Sequence, residues 1–68
     1  MPNAFDKNIL CKRITESRIK LKMNQAQLAE KANVTPAAIS QIENGLRVPS
    51  MPVMHNIARV LGVSIDYL

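Results

Sequence analysis

Aromatic residues are almost absent from this 68-residue chain: it has Phe5, Tyr67 and no tryptophan. Single-stranded nucleic acids are held on aromatic stacking platforms, so that class of partner is disfavoured. A sugar-binding groove is disfavoured for the same lack of rings. Cysteine occurs once, at Cys11, which excludes an internal disulfide and a cysteine-based zinc site and fits a reducing compartment. Cys11 reads as a small, buried or half-buried apolar residue. No apolar run is long enough to cross a membrane. The opening MPNAFDKNIL lacks the basic start and long apolar core of a signal peptide, so the expected location is the cytoplasm. No strand pattern occurs either, and the expected fold class is a compact all-α domain.

A chain this short buries only about 60% of its unfolded surface, so its core must be efficient. Net charge is +4, which favours a polyanionic partner. Lys7, Lys12, Arg13, Arg18, Lys20 and Lys22 all fall in the first third of the chain.

Residues 1–7 lack periodicity and read as a loose arm ahead of one domain, 8–68. Residues 8–22 form the first expected helix, with Asp6 or Asn8 as its cap. Leu10, Ile14, Ser17, Arg18 and Leu21 share one face of it. Arg18 is an anomaly there, since a cation on an apolar stripe needs an acidic partner or must reach the edge. Asn24 caps the second helix, and Gln27 completes a capping-box pattern. Leu28, Ala29 and Ala32 are its apolar positions, and the two alanines permit close approach of another helix. Asn33-Val34-Thr35 is the turn, with Asn33 suited to a left-handed conformation. Thr35 then caps a third helix that opens on Pro36. Ile39 and Ile42 give that helix a narrow apolar stripe, and Asn44-Gly45 ends it. After a loop with Arg47 and Pro49, Ser50 caps a fourth helix. Val53, Met54, Ile57, Ala58 and Leu61 form its buried face, and Gly62 is its stop signal. Ser64 caps a last partial turn over 65–68, where Ile65, Tyr67 and Leu68 are expected to stand exposed, as a subunit contact or the edge of a further region.

The stretch 24–45 has the spacing of a helix-turn-helix: about eight residues, a three-residue turn, about eight more. Few residues of the third helix are apolar, so one side only is buried. Pro36, Ala37, Ser40, Gln41 and Asn44 occupy the other side, small or polar and free of acid. Such a surface enters a major groove without charge repulsion. Glu43 is the one acid of this helix and turns away from that side. Pairing it with Arg18 resolves both anomalies and locks the third helix against the first.

These residues resemble the lambda-repressor-like helix-turn-helix domains of bacterial and phage regulators, the Xre type. The resemblance is carried by Arg18, by MNQAQLAEKANVT, by AISQIENG, by Arg47 with Pro49, and by ARVLGVSIDYL, covering about residues 9–68. It implies a five-helix bundle that binds duplex DNA sequence-specifically, usually as a homodimer on a pseudo-palindromic operator, in a transcriptional regulator that is most often a repressor. It implies that Gln25 bonds a phosphate and buttresses the third helix. Pro36, Ala37 and Gln41 match positions facing base edges, and Ser40 borders them. Asn44 and Arg47 match backbone-contacting positions, with Asn24 and Thr35 assigned to the backbone beside them. Arg18 and Glu43 match the family's internal ion pair. The chain departs from the family at Pro36 and Ala37, where polar residues are common. Gln41 is left as the one long hydrogen-bonding reader, with adenine its usual partner.

The alternative is a protein-interaction module, such as an antitoxin, or the DNA-binding part of a larger regulator. The lack of acids and large apolar groups on the third helix speaks against a protein-docking patch there. No cofactor is expected. His55 has no ligand partners in sequence, and the methionines read as core filler or dimer contact. No nucleophile–base or paired-acid arrangement suggests an enzyme.

Overall fold

The computed structural model describes residues 7–68. Its helices are α1 (Lys7–Lys20), α2 (Gln25–Ala32), α3 (Pro36–Glu43) and α4 (Met51–Leu61). No strand occurs among the described residues, and no helix among them is long and apolar enough to cross a membrane.

Local capping starts the helices. The Asn24 side-chain oxygen accepts from the Gln27 N–H at 2.7 Å, and the Gln27 side-chain oxygen accepts from the Asn24 N–H at 2.8 Å. This reciprocal box satisfies donors that a helix start leaves open. Thr35 Oγ1 accepts from the Ala38 N–H at 3.1 Å, and Pro36 brings a φ already suited to the first turn. Ser50 accepts from the Val53 N–H at 3.5 Å ahead of α4.

A second device ends all four helices. One residue turns left-handed, and the next N–H reaches back five residues to a helical carbonyl. The reaching bonds are Met23 to Arg18 (3.1 Å), Val34 to Ala29 (2.9 Å), Leu46 to Gln41 (2.8 Å) and Val63 to Ala58 (3.1 Å). The turning residues are Lys22 (φ 60), Asn33 (φ 61), Gly45 (φ 75) and Gly62 (φ 71). At Gly45 a side chain would also meet Cys11 Sγ, 3.6 Å from the place of its Cβ.

The core gathers Leu10 and Ile14 of α1, Leu28, Ala29 and Ala32 of α2, Ile39 and Ile42 of α3, and Met54, Ile57 and Leu61 of α4. α2 packs on both α3 and α4, and α1 closes over α3 and α4 from the other end of the sequence. Ala29 and Ala32 are fully buried, so small side chains sit where α2 meets its neighbours. Cys11 is half-buried and donates its S–H to the Ile42 carbonyl at 3.0 Å. Asn56 ties α4 to the end of α2 through the Ala32 carbonyl, 3.4 Å away.

Several expectations need correction. The structure has four helices among the described residues, not five. Residues Ile65–Tyr67 form a single turn, closed by the Tyr67 N–H on both the Ser64 carbonyl and the Ser64 hydroxyl, each at 3.1 Å. One turn closes a single backbone bond, which does not offset the cost of helix nucleation. Of the three residues expected to stand exposed there, only Tyr67 does; Ile65 and Leu68 are half-buried. Arg13 holds this turn on α1, donating to the Tyr67 carbonyl and lying 4.9 Å from the Tyr67 ring centroid. α1 ends at Lys20 rather than Lys22, because the left-handed Lys22 breaks the register. Leu21 therefore leaves the apolar stripe and is 50% exposed. At the other end, Lys7 and Asn8 already belong to α1, so Asn8 is not its cap. The proposed cap Asp6 and the rest of the arm lie outside the described residues.

Candidate nucleic-acid interface

Residues 24–45 consist of α2 with its cap, a turn over 33–35, then α3 and its ending. Ala38, Ile39 and Ile42 face the core, and Thr35, Pro36, Ala37, Gln41 and Asn44 are exposed with Ser40 half-buried. The exposed positions recur at helical spacing, so they form one continuous stripe along α3. No acid lies in it. Glu43 points off the stripe, to the back of the helix.

There the Glu43 carboxylate takes a bidentate grip from Arg18: Nε to Oε2 at 2.8 Å and Nη2 to Oε1 at 3.0 Å. Gln25 Nε2 donates to the same Oε1 at 3.0 Å, and Arg18 Nη1 donates to the Met23 carbonyl at 2.8 Å. The two charged side chains are 13% and 4% exposed, Arg18 and Glu43 respectively. The last turn of α1, the α1–α2 loop, the first turn of α2 and the last turn of α3 thus meet on one carboxylate. An acid at a helix C-terminus is opposed by the macrodipole, and this cluster offsets that.

Burial pushes the Glu43 carboxyl up. The hydrogen bonds from Arg18 and Gln25, the Arg18 charge and a bond from Thr15 outweigh it and hold the group below its ordinary range. The Arg18 guanidinium is raised by its hydrogen bond to Glu43, against its own burial. Both groups are charged at neutral pH.

The remaining site residues fall around the stripe. Gln25 is half-buried at the first position of α2. One N–H of its amide is engaged with Glu43, and the rest of the amide lies at the N-terminal end of α2, where the dipole favours an anion. Asn24 and Thr35 serve as caps through their side-chain oxygens. Asn44 Nδ2 approaches Ser40 Oγ at 3.4 Å, and Arg47 Nη1 approaches Gln41 Oε1 at 3.4 Å. Both distances are at the long limit of a hydrogen bond. Arg47, expected at the DNA backbone, is therefore also a neighbour of the main candidate reader. Thr15 and the Met23 carbonyl were not anticipated in the cluster. Nothing in their local sequence signals them, because only the packing of α1 against α3 brings them there. His55 is exposed on α4, and no group of metal-ligating side chains occurs among the described residues.

Two capped helices joined by a three-residue turn, with the second anchored from behind and bare in front, define a helix-turn-helix domain. Residues 14–68 match the helix-turn-helix family model, and the chain belongs to that family, in its Xre or lambda-repressor-like form. It is 44% identical over 46 residues to an uncharacterized HTH-type transcriptional regulator of Mycobacterium tuberculosis, covering 68% of this chain and 33% of that protein. A second uncharacterized HTH-type transcriptional regulator, from Methanothermobacter thermautotrophicus, is 43% identical over 49 residues, with 72% of this chain and 71% of that protein covered. Multiprotein-bridging factor 1 of Candida glabrata is 36% identical over 64 residues, which is 94% of this chain and 42% of that protein. The chain thus spans well under half the length of the mycobacterial and yeast relatives.

Proposed function

We propose that this chain binds double-stranded DNA sequence-dependently as a transcriptional regulator, most simply a repressor, laying α3 in the major groove. The observation that carries this reading is the acid-free stripe of Pro36, Ala37, Ser40, Gln41 and Asn44 on a helix fixed by the Arg18–Glu43–Gln25 cluster. Gln41 reads a base edge, with adenine its best match, and Ser40, Pro36 and Ala37 line the same edge. Asn24, Gln25, Thr35, Asn44 and Arg47 meet the phosphates and set the register. Two copies on a pseudo-palindromic operator double the contacts. The names of the relatives support a regulator, and the net charge of +4 supports a polyanionic partner.

Selection of bound duplexes from a random pool, followed by titration of the winner at several salt concentrations, tests the proposal. A defined motif with affinity falling steeply as salt rises is expected. No enriched motif would refute it.

A second reading, protein bridging, is favoured by a different region. A cleft of about 530 Å³ lies between α1 and the C-terminal turn, lined by Leu21, Leu61, Val63 and Tyr67 with Glu16, Ser17 and Lys20. Leu21 and Tyr67 are exposed beside it, and one relative is named a multiprotein-bridging factor. This reading is compatible with the first, since the cleft is lined by none of the α3 stripe residues.

A further inference from the structure

Each of the four helices ends in the same hydrogen-bonded motif, and that motif ordinarily packs the residue after the left-handed turn against an apolar residue near the helix end. Three endings obey. Met23, Val34 and Val63 are all partly buried and packed on the core. The α3 ending does not: Leu46 is 78% exposed. The residues it would pack on, Ser40 and Gln41, lie on the outward stripe of α3, whereas the equivalent pair of α1, Ser17 and Arg18, is partly buried beside the packed Met23. Leu46 is nonetheless well fixed, because its N–H is held on the Gln41 carbonyl at 2.8 Å. Arg47 follows and reaches back to Gln41 Oε1. A large, mostly exposed apolar side chain thus stands next to the candidate reading residue on a fixed backbone.

We propose that Leu46 is a specificity residue: it contacts the C5-methyl group of a thymine beside the base read by Gln41. This rests on the DNA-binding reading above. The thymine methyl is the one apolar group that base pairs show in the major groove. The surroundings of Leu46 suit DNA rather than a protein groove of mixed charge. Residues 44–58 contain no acid, and Arg47 adjoins. The contact also supplies what the tip of α3 lacks, since Pro36 and Ala37 offer few polar groups to a base.

The test uses the full chain and the duplex it selects. Each thymine is replaced in turn by deoxyuridine, which lacks only the methyl group. Wild type is expected to lose about fourfold in affinity at one thymine near the Gln41 base pair, the effect of one buried methyl. Leu46→Ala is expected to bind more weakly on the natural duplex and to be insensitive to deoxyuridine at that thymine. Its melting curve should stay close to wild type, because the side chain is 78% exposed. Identical deoxyuridine profiles for the two proteins overturn the assignment. So does an equal weakening by Leu46→Ala on every duplex, which marks a sugar or phosphate contact. Unchanged DNA binding by Leu46→Ala overturns it as well, and leaves the side chain to a protein partner. If wild type selects no motif at all, the DNA reading has failed, and that is seen before any variant is made.

Discussion

Arg18→Ala is the most informative single perturbation, because it strikes the point where three helices meet. It removes both hydrogen bonds from Arg18 to Glu43 and the one to the Met23 carbonyl. Glu43, only 4% exposed, keeps the bonds from Gln25 and Thr15 but loses its counter-charge. Removing one partner of a buried pair costs about 3–5 kcal/mol. A domain of 68 residues has roughly 3–10 kcal/mol in total, so most of the margin disappears. Urea denaturation followed by helical circular dichroism measures the loss at pH 7. A pH series then identifies its cause. In wild type the Glu43 carboxyl is held below its ordinary range, so its contribution is full above the unfolded value of about 4.3 and fades as pH falls through the lower, folded value. In Arg18→Ala the upward push of burial has lost its main opponent. The folded carboxyl then titrates above the unfolded one, and protonation relieves the variant as pH falls. The gap between the two proteins should therefore narrow on acidification. Replacing the pair together, Arg18→Met with Glu43→Leu, should recover much of the loss at pH 7, since it leaves no buried charge. A variant within about 0.5 kcal/mol of wild type at pH 7, the range of ordinary surface changes, refutes the reasoning. So does a gap that stays constant with pH.

Three further outcomes are expected. Gln41→Ala should abolish preference at one base pair, worth about 1–3 kcal/mol of discrimination, and leave non-specific affinity almost unchanged; random-duplex selection reads this directly, and an unaltered motif would count against the role. Asn24→Ala should destabilise by about 1 kcal/mol through loss of the capping box, and Asn24→Ser should keep most of it; both are read by thermal melting. Lys22→Gly should raise the melting temperature by roughly 2–8 °C, because it relieves a non-glycine residue at φ 60; a lower melting temperature would show that the Lys22 side chain matters more than its backbone.

Features encoded locally were the legible ones. Asn24 with Gln27, Asn33, Thr35 with Pro36, Ser50 and Gly62 each satisfy or terminate a helix within a few residues, so their residue types reveal the boundaries. The Arg18–Glu43 pair is non-local but was readable from two misfits: a cation on an apolar stripe and a lone acid on an otherwise acid-free helix. The end of α1 was not readable. Its apolar spacing continues to Leu21, and a lysine, not a glycine, adopts the left-handed turn. The fate of 65–68 was hidden for a different reason. The turn is held by Arg13 of α1, more than fifty residues away in sequence. The exposure of Leu46 has no local signal, since it shows only against the partly buried residues at the other three helix ends.

The design of the reading helix follows from where its one acid sits. On the proposed DNA-binding reading the outward stripe must be free of carboxylate, yet α3 needs a fixed orientation, and its apolar stripe of Ala38, Ile39 and Ile42 is narrow. Glu43 solves this by placing its charge at the back of the last turn, where Arg18 neutralises it and Gln25 shares it. Gln25 thereby couples the N-terminus of α2, a natural phosphate site, to the orientation of α3. On the proposed DNA-binding reading, this coupling would set a phosphate at Gln25 in register with a base edge at Gln41. The coupling is directional. Loss of Gln25 should weaken the phosphate contact and loosen α3 only slightly, because Arg18 still grips Glu43. Loss of Arg18 should disturb both, because no other cation among the described residues pairs with the carboxylate.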